Sequence, residues 1–355
     1  MELHLFEIEI YQAQYKCLRC SLLVRGTLAI LGISMDAKKN KERTIFDFVY
    51  AGRLVDSVTP TEEPDFKVKN ADGEFGVEIT EFYFTQSQAR LINIPSYGTE
   101  ILDKKKYRHK DDITPLEVKE FTVVPHDNRR PSFKVEGLMQ EMPDMNEYAI
   151  RISELIERKN KLFRNYIAGL THVNLIIRDY EHRLVGVPKD KFHHVFFQPQ
   201  LEKVLMNADF REIFLVTQLG EFGSSKEVYI PLKMLFLVAE VFLFNDILDK
   251  EYPDIQMTSL LCAEYLTWRG AKNVYFKDGS DGIEVSYGNS GILISKDNGV
   301  SIRDYSDFAL PVDCSSITAS GISNFFDDVF SSLFEIHKRG SIFTMELCFD
   351  VRTSN

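Results

Sequence analysis

Hydrophobic and polar positions along this chain follow two periods, and the switches between them mark its elements. Residues 3–10 (LHLFEIEI) predict a strand, and Tyr11–Met35 is a mixed segment. A basic run, Lys38–Arg43, opens a helix to about Val55, in which Ile45, Val49 and Gly52 fall on one stripe. After a polar loop (SVTPTEE) the period becomes two. It predicts a hairpin with a first strand Asp65–Lys69, a turn near Asp72-Gly73 and a second strand Glu74–Phe82.

Residues 95–145 are charged and punctuated by proline, without sustained periodicity, and are expected to be an insertion rather than a domain. An amphipathic helix is predicted over Met145–Ala168. A buried-type strand, Val173–Arg178, follows, then a polar turn at Asp179–Arg183, a helix near Pro199–Ala208 and strands at Glu212–Thr217 and Val228–Leu232. Beyond residue 250 the texture changes. Helical residues 257–268 lead into four short strands, Asn273–Lys277, Ile283–Tyr287, Gly291–Ser295 and Val300–Arg303. Turn dipeptides separate three of these, and a helix near Ser323–Lys338 with a last strand closes the chain. The expected organisation is an N-terminal strand and extension (1–35), an α/β core (36–249) carrying the insertion, and a C-terminal α+β domain (250–355).

Composition narrows the class. The 355 residues amount to about two domains at ~150 residues each, and 44% hydrophobic with 27% charged residues is enough to bury a core. The net charge, 42 − 53 = −11, argues against coating nucleic acid by bulk electrostatics but permits a local basic groove. The longest apolar run, Met234–Phe244, is too short for a bilayer and contains Glu240, so no membrane span is expected. Acidic residues near the start (Glu2, Glu7, Glu9) and five scattered cysteines suggest a reduced, cytoplasmic protein. Only Cys17 and Cys20 have metal-like spacing, and no second pair accompanies them.

The chemistry concentrates at Pro64-Asp65 and Glu78-Ile79-Thr80. Carboxylates on neighbouring antiparallel strands can hold a hard divalent cation through oxygen ligands. The strand period puts Glu78 and Thr80 on one face and Val77 and Ile79 on the other. With a helix before this hairpin and a helix and strand after it, the pattern resembles the PD-(D/E)XK nuclease superfamily over roughly residues 40–232. The resemblance implies a mixed central sheet flanked by helices, with Asp65 and Glu78 as ligands of Mg2+ or Mn2+ and the Ile79 carbonyl assisting. Glu42, on the stripe of the first helix, would be an additional acid. Thr80 stands where the family has lysine. Lys159 lies on the apolar stripe of the helix after the hairpin, with Ile152, Leu155, Ile156, Leu162, Phe163 and Tyr166, and is the candidate relocated catalytic lysine; Arg158 and Lys161 project elsewhere. Lys67 and Lys69, on the Asp65 face of the first strand, are the backups.

The function implied is metal-dependent hydrolysis of nucleic acid, with DNA the expected substrate. A setting in defence against foreign DNA is an analogy only. In the insertion, Lys104, Lys105, Lys106 and Arg108 are candidate phosphate contacts. The C-terminal domain is the candidate surface for a second copy or a partner protein. The bland readings stay open beside these: Asp65 as a turn residue, Glu78 as an edge charge, Glu42 as a first-turn acid and Lys159 with its ammonium in water. The alternative function is a catalytically inactive module of the same fold that binds nucleic acid or protein.

Overall fold

A computed structural model describes residues 35–51, 55–71, 73–123, 131–139, 144–187, 193–221, 224–238, 240, 255–295, 299–304 and 315–316. The expected elements at 3–10 and 323–338, and the Cys17–Cys20 pair, lie outside these residues. Two compact units divide the chain: one comprises the described residues within 83–144, the other those within 35–82 and 145–355.

The larger unit is mixed α/β. Helix α1 (Met35–Tyr50) precedes strands β1 (Ser57–Pro60), β2 (Phe66–Asn70) and β3 (Gly73–Phe82). In the smaller unit lie α2 (Gln86–Asn93), α3 (Tyr97–Lys104), β4 (Glu117–Val123) and β5 (Phe133–Met139). The chain continues in the larger unit with α4 (Met145–Lys161), the short α5 (Phe163–Tyr166), β6 (Val173–Asp179), α6 (His193–Phe196), α7 (Pro199–Asn207), β7 (Ile213–Leu219) and β8 (Lys226–Pro231). The six-stranded sheet has the order β1-β2-β3-β6-β7-β8. β1, β2 and β3 pair antiparallel, β3, β6 and β7 pair parallel, and β8 returns antiparallel.

Each face of this sheet is covered. On one side Ile45, Phe46, Val49 and Tyr50 of α1 pack on Phe66, Val68, Phe75, Val77 and Ile79. On the other, Tyr148, Ile152, Leu155 and Ile156 of α4 pack with Phe82, Leu175 and Ile177. Burying such side chains contributes ~1.5–3 kcal/mol each, so α4 is held mainly by this stripe. The helix stops at Lys161, short of the predicted Ala168, and α5 takes up the remainder.

The core continues past residue 250. Helix α8 (Ile255–Trp268) and strands β9 (Tyr275–Gly279), β10 (Gly282–Tyr287), β11 (Ser290–Ser295), β12 (Gly299–Asp304) and β13 (Ser315–Ser316) follow. These strands form a five-stranded sheet of order β12-β11-β10-β9-β13. Tyr265, Leu266, Val285, Tyr287 and Ile292 share one apolar cluster with Leu201, Val204 and Leu205 of α7. The Tyr287 hydroxyl donates to the Leu205 carbonyl at 2.8 Å. Arg269 bridges Glu202 and Glu240, each at 2.7 Å.

The smaller unit, which holds the expected insertion at 95–145, has secondary structure and an apolar cluster of its own. Its β4–β5 hairpin and helices enclose Tyr97, Ile101, Leu116 and Leu138. Asp112 is fully buried beside them and accepts hydrogen bonds from Ser87 (2.7 Å), Arg90 (2.7 Å) and Tyr97 (2.5 Å). Among the described residues, no helix is long and apolar enough to cross a membrane.

Candidate metal and phosphate site

The β2–β3 register brings the two candidate ligands together. Phe66 pairs with Val77, so Asp65, one residue before β2, comes opposite Glu78. The Ile79 N–H donates to Asp65 Oδ2 at 2.8 Å. An antiparallel residue points its N–H and C=O to the same side, so the Ile79 carbonyl opens on this same edge. Upstream, the Thr61 N–H donates to the Asp65 carbonyl at 2.8 Å, and the Thr61 hydroxyl donates to the Pro64 carbonyl. The Glu63–Pro64 peptide is cis. Pro64 sits over Gly76, where a Cβ would come 2.7 Å from the proline ring. That close approach explains the glycine.

Glu78 and Thr80 are both buried on the α4 side of β3, as the strand period requires. Lys159 reaches them from α4. Its Nζ lies 2.7 Å from Glu78 Oε1, with the lysine side chain 19% exposed. Tyr166 stands behind the same carboxylate. Burial first, and then the charge of Glu78, push its phenol well above the ordinary value, so it remains protonated at neutral pH. Arg158 and Lys161 are exposed.

No protein family, no curated protein and no solved structure was found to match this chain. The chemistry therefore has to be argued from the side chains.

Asp65 reports how crowded the site is with negative charge. Burial, followed by the charge of Glu78, raises its pKa to about 6; Glu42 adds to the rise, and the Ile79 N–H and Lys39 oppose it. Glu42 is buried midway along α1, with one oxygen 3.3 Å from Lys38 Nζ and the other 3.3 Å from Lys39 Nζ. Lys39 also lies 3.6 Å from Asp65 Oδ1. The sequence reading did not single out this lysine. The Lys39–Glu42 spacing on one helix face does not separate it from Lys38, which stands four residues before the same glutamate.

The donor set fits a hard divalent cation in chemistry: carboxylate oxygens, a backbone carbonyl, and two buried oxygens, Glu42 Oε2 and Glu78 Oε2, for which no partner meets hydrogen-bond geometry. Among the described residues, no three acids, cysteines or histidines are drawn close enough to form a ready metal-ligand group. In this arrangement Glu42, the expected additional ligand, is engaged by lysines instead.

The other candidates are placed as follows. Lys67 is half-buried on β2. In the smaller unit Lys104, Lys105, Lys106 and Arg108 are all exposed. Lys105 pairs with Glu136 at 2.7 Å and Arg108 with Glu100 at 2.8 Å, leaving Lys104 and Lys106 as the more available charges.

Proposed function

We propose that the protein is a Mg2+- or Mn2+-dependent nuclease that hydrolyses phosphodiester bonds, with DNA as the expected substrate. The observation that carries this reading is the meeting of Asp65, Glu78 and Lys159, two carboxylates and a lysine from three separate segments, where the start of β2 lies opposite the middle of β3. Asp65, Glu78 and the Ile79 carbonyl would hold the ion, with Glu42 beside them. Bound there, a divalent ion supplies Lewis-acid polarisation of a phosphoryl oxygen and a water of lowered pKa. The Ile79 N–H fixes Asp65 Oδ2 and so sets the direction of the other oxygen. Lys159 orients Glu78 and presents a positive charge for the phosphoryl oxygens as negative charge develops on them. Thr80, in the position of the family's lysine, supplies no charge.

The test is cleavage of single- and double-stranded DNA and RNA with Mg2+ or Mn2+. EDTA is expected to abolish it, and Asp65→Ala or Glu78→Ala to remove it while the protein stays folded. Wild-type cleavage by Asp65→Ala would reject the site. A second reading, an inactive scaffold of this fold that binds nucleic acid or protein, draws support from the lysines already engaging each acid. Nucleic-acid binding without cleavage, and indifferent to divalent metal, would favour it.

A further inference from the structure

Lys39 sits where a cation belongs. Its Nζ donates to the Thr61 carbonyl at 2.8 Å and lies 3.3 Å from Glu42, 3.6 Å from Asp65 and 3.9 Å from Glu62. Three carboxylates and a carbonyl thus converge on one ammonium, an oxygen set of the kind hard cations take. The only one of these contacts with hydrogen-bond geometry is to the neutral carbonyl. The carboxylates are held at ion-pair range, and Glu42 Oε2 and Glu78 Oε2 lack hydrogen-bond partners although both residues are more than nine-tenths buried.

Charge counting points the same way. The buried acids Glu42, Asp65 and Glu78 bring three negative charges, and the half-buried Lys39 and Lys159 bring two positive ones. Withdrawal of Lys39 leaves a balance of −2, the complement of a divalent ion. The two lysines are not equivalent. Lys159 makes a single short bond to Glu78, whereas Lys39 is 30% exposed and spreads its charge over longer contacts. A flexible four-carbon stem lets its ammonium swing into water without moving α1.

We propose that Lys39 is a tethered counter-ion that occupies the divalent-metal site and must be displaced for the metal to bind. The proposal rests on the metal-site reading above. It adds that Lys39 keeps the acid cluster neutralised and folded without metal, and sets the metal concentration at which the site loads.

The test is Mn2+ binding to the full chain at pH 7.5, followed by calorimetry and by the shift in melting temperature, for wild type, Lys39→Met, Lys39→Arg and Asp65→Asn. Lys39→Met is expected to bind Mn2+ roughly tenfold tighter than wild type or better, the low end of what removing an adjacent unit charge contributes. It should also melt lower without metal and regain more on adding Mn2+. Lys39→Arg keeps the charge and should bind within about threefold of wild type, and adding Asp65→Asn to Lys39→Met should remove the gain. If Lys39→Met does not fold, Lys39→Gln replaces it. Equal or weaker Mn2+ binding by the neutral variant, with wild-type binding still dependent on Asp65, overturns the tethered counter-ion and leaves the metal site standing. Absence of Mn2+ binding in every variant overturns both.

Discussion

Lys159 and Glu78 are 81 residues apart in sequence and 2.7 Å apart in space. The contact joins α4 to the middle of β3 and puts an ammonium beside a carboxylate on the face that Thr80 shares. It therefore supplies a charge at the place where position 80 does not.

Replacing Lys159 by Met keeps the stem volume but leaves Glu78 buried without its cation. The rate of DNA cleavage is expected to fall ~100-fold or more, about the effect of deleting one preorganised charge-stabilising donor. Stability should fall by about 1–3 kcal/mol, less than for a fully buried pair because water reaches the lysine. Lys161→Met, on the exposed side of α4, is the control and should change neither quantity. Equal rate losses in the two variants would remove Lys159 from the site.

Asp65 gives the metal-free protein a pH signature. Its pKa in the fold, about 6, lies above the ordinary 3.8, so the fold favours the neutral carboxyl. The stability this contributes is fully present below pH 3.8 and is lost as the pH rises through 6. Asp65→Asn stays neutral and can still accept from Ile79. Urea melts in EDTA should show the variant gaining on wild type between pH 4.5 and 7.5, by ~2 kcal/mol, since at ~1.36 kcal/mol per pKa unit about a third of the two-unit shift is already lost below pH 4.5. A constant difference across that range would show that Asp65 titrates normally. Because the metal-bound carboxylate must be ionised, Mn2+ affinity of the wild type should weaken below pH 6.

Gly76→Ala tests the support under Asp65. The new methyl would lie 2.7 Å from Pro64 Cγ and 2.9 Å from Leu170 Cδ1, too close for either to stay in place. A cost of about 1–3 kcal/mol in stability is expected, with weaker Mn2+ binding as Pro64 is displaced next to Asp65. Unchanged metal binding in a destabilised variant would show that Asp65 is positioned independently of the proline.

The parts of this structure that were legible in the sequence share a property: their side chains repeat with the period of the element. The stripe Ile152, Leu155 and Ile156 marked α4 and put Lys159 on its inner edge, where Glu78 meets it. The alternation along Glu74–Phe82 likewise sorted Glu78 from Val77. The four-residue edge strand β1 (SVTP), largely exposed, left no periodic trace in a polar loop. β4 and β5 interleave exposed Glu117, Lys119, Glu120, Lys134 and Glu136 with half-exposed apolar residues, and among the described residues their unit is organised around four buried apolar side chains and an aspartate, so 95–145 showed no sustained period. Lys39 was hidden for another reason. A lysine in a run of lysines carries no sign that one of them turns inward, and only the positions of Thr61 and Asp65 reveal it.

The edge-to-face contact between Phe82 and Tyr148, with ring centroids 5.5 Å apart, has a consequence for the chain between them. The polypeptide leaves the larger unit just after Phe82 and re-enters it just before Tyr148, so exit and entry are neighbours. Sixty-odd intervening residues close a loop whose two ends meet, and lengthening or shortening such a loop changes its closure entropy only slowly. Residues 83–144 are in this sense a cassette. Replaced by a few glycines and serines, they should leave the β3–α4 junction intact and Lys159 still resting on Glu78.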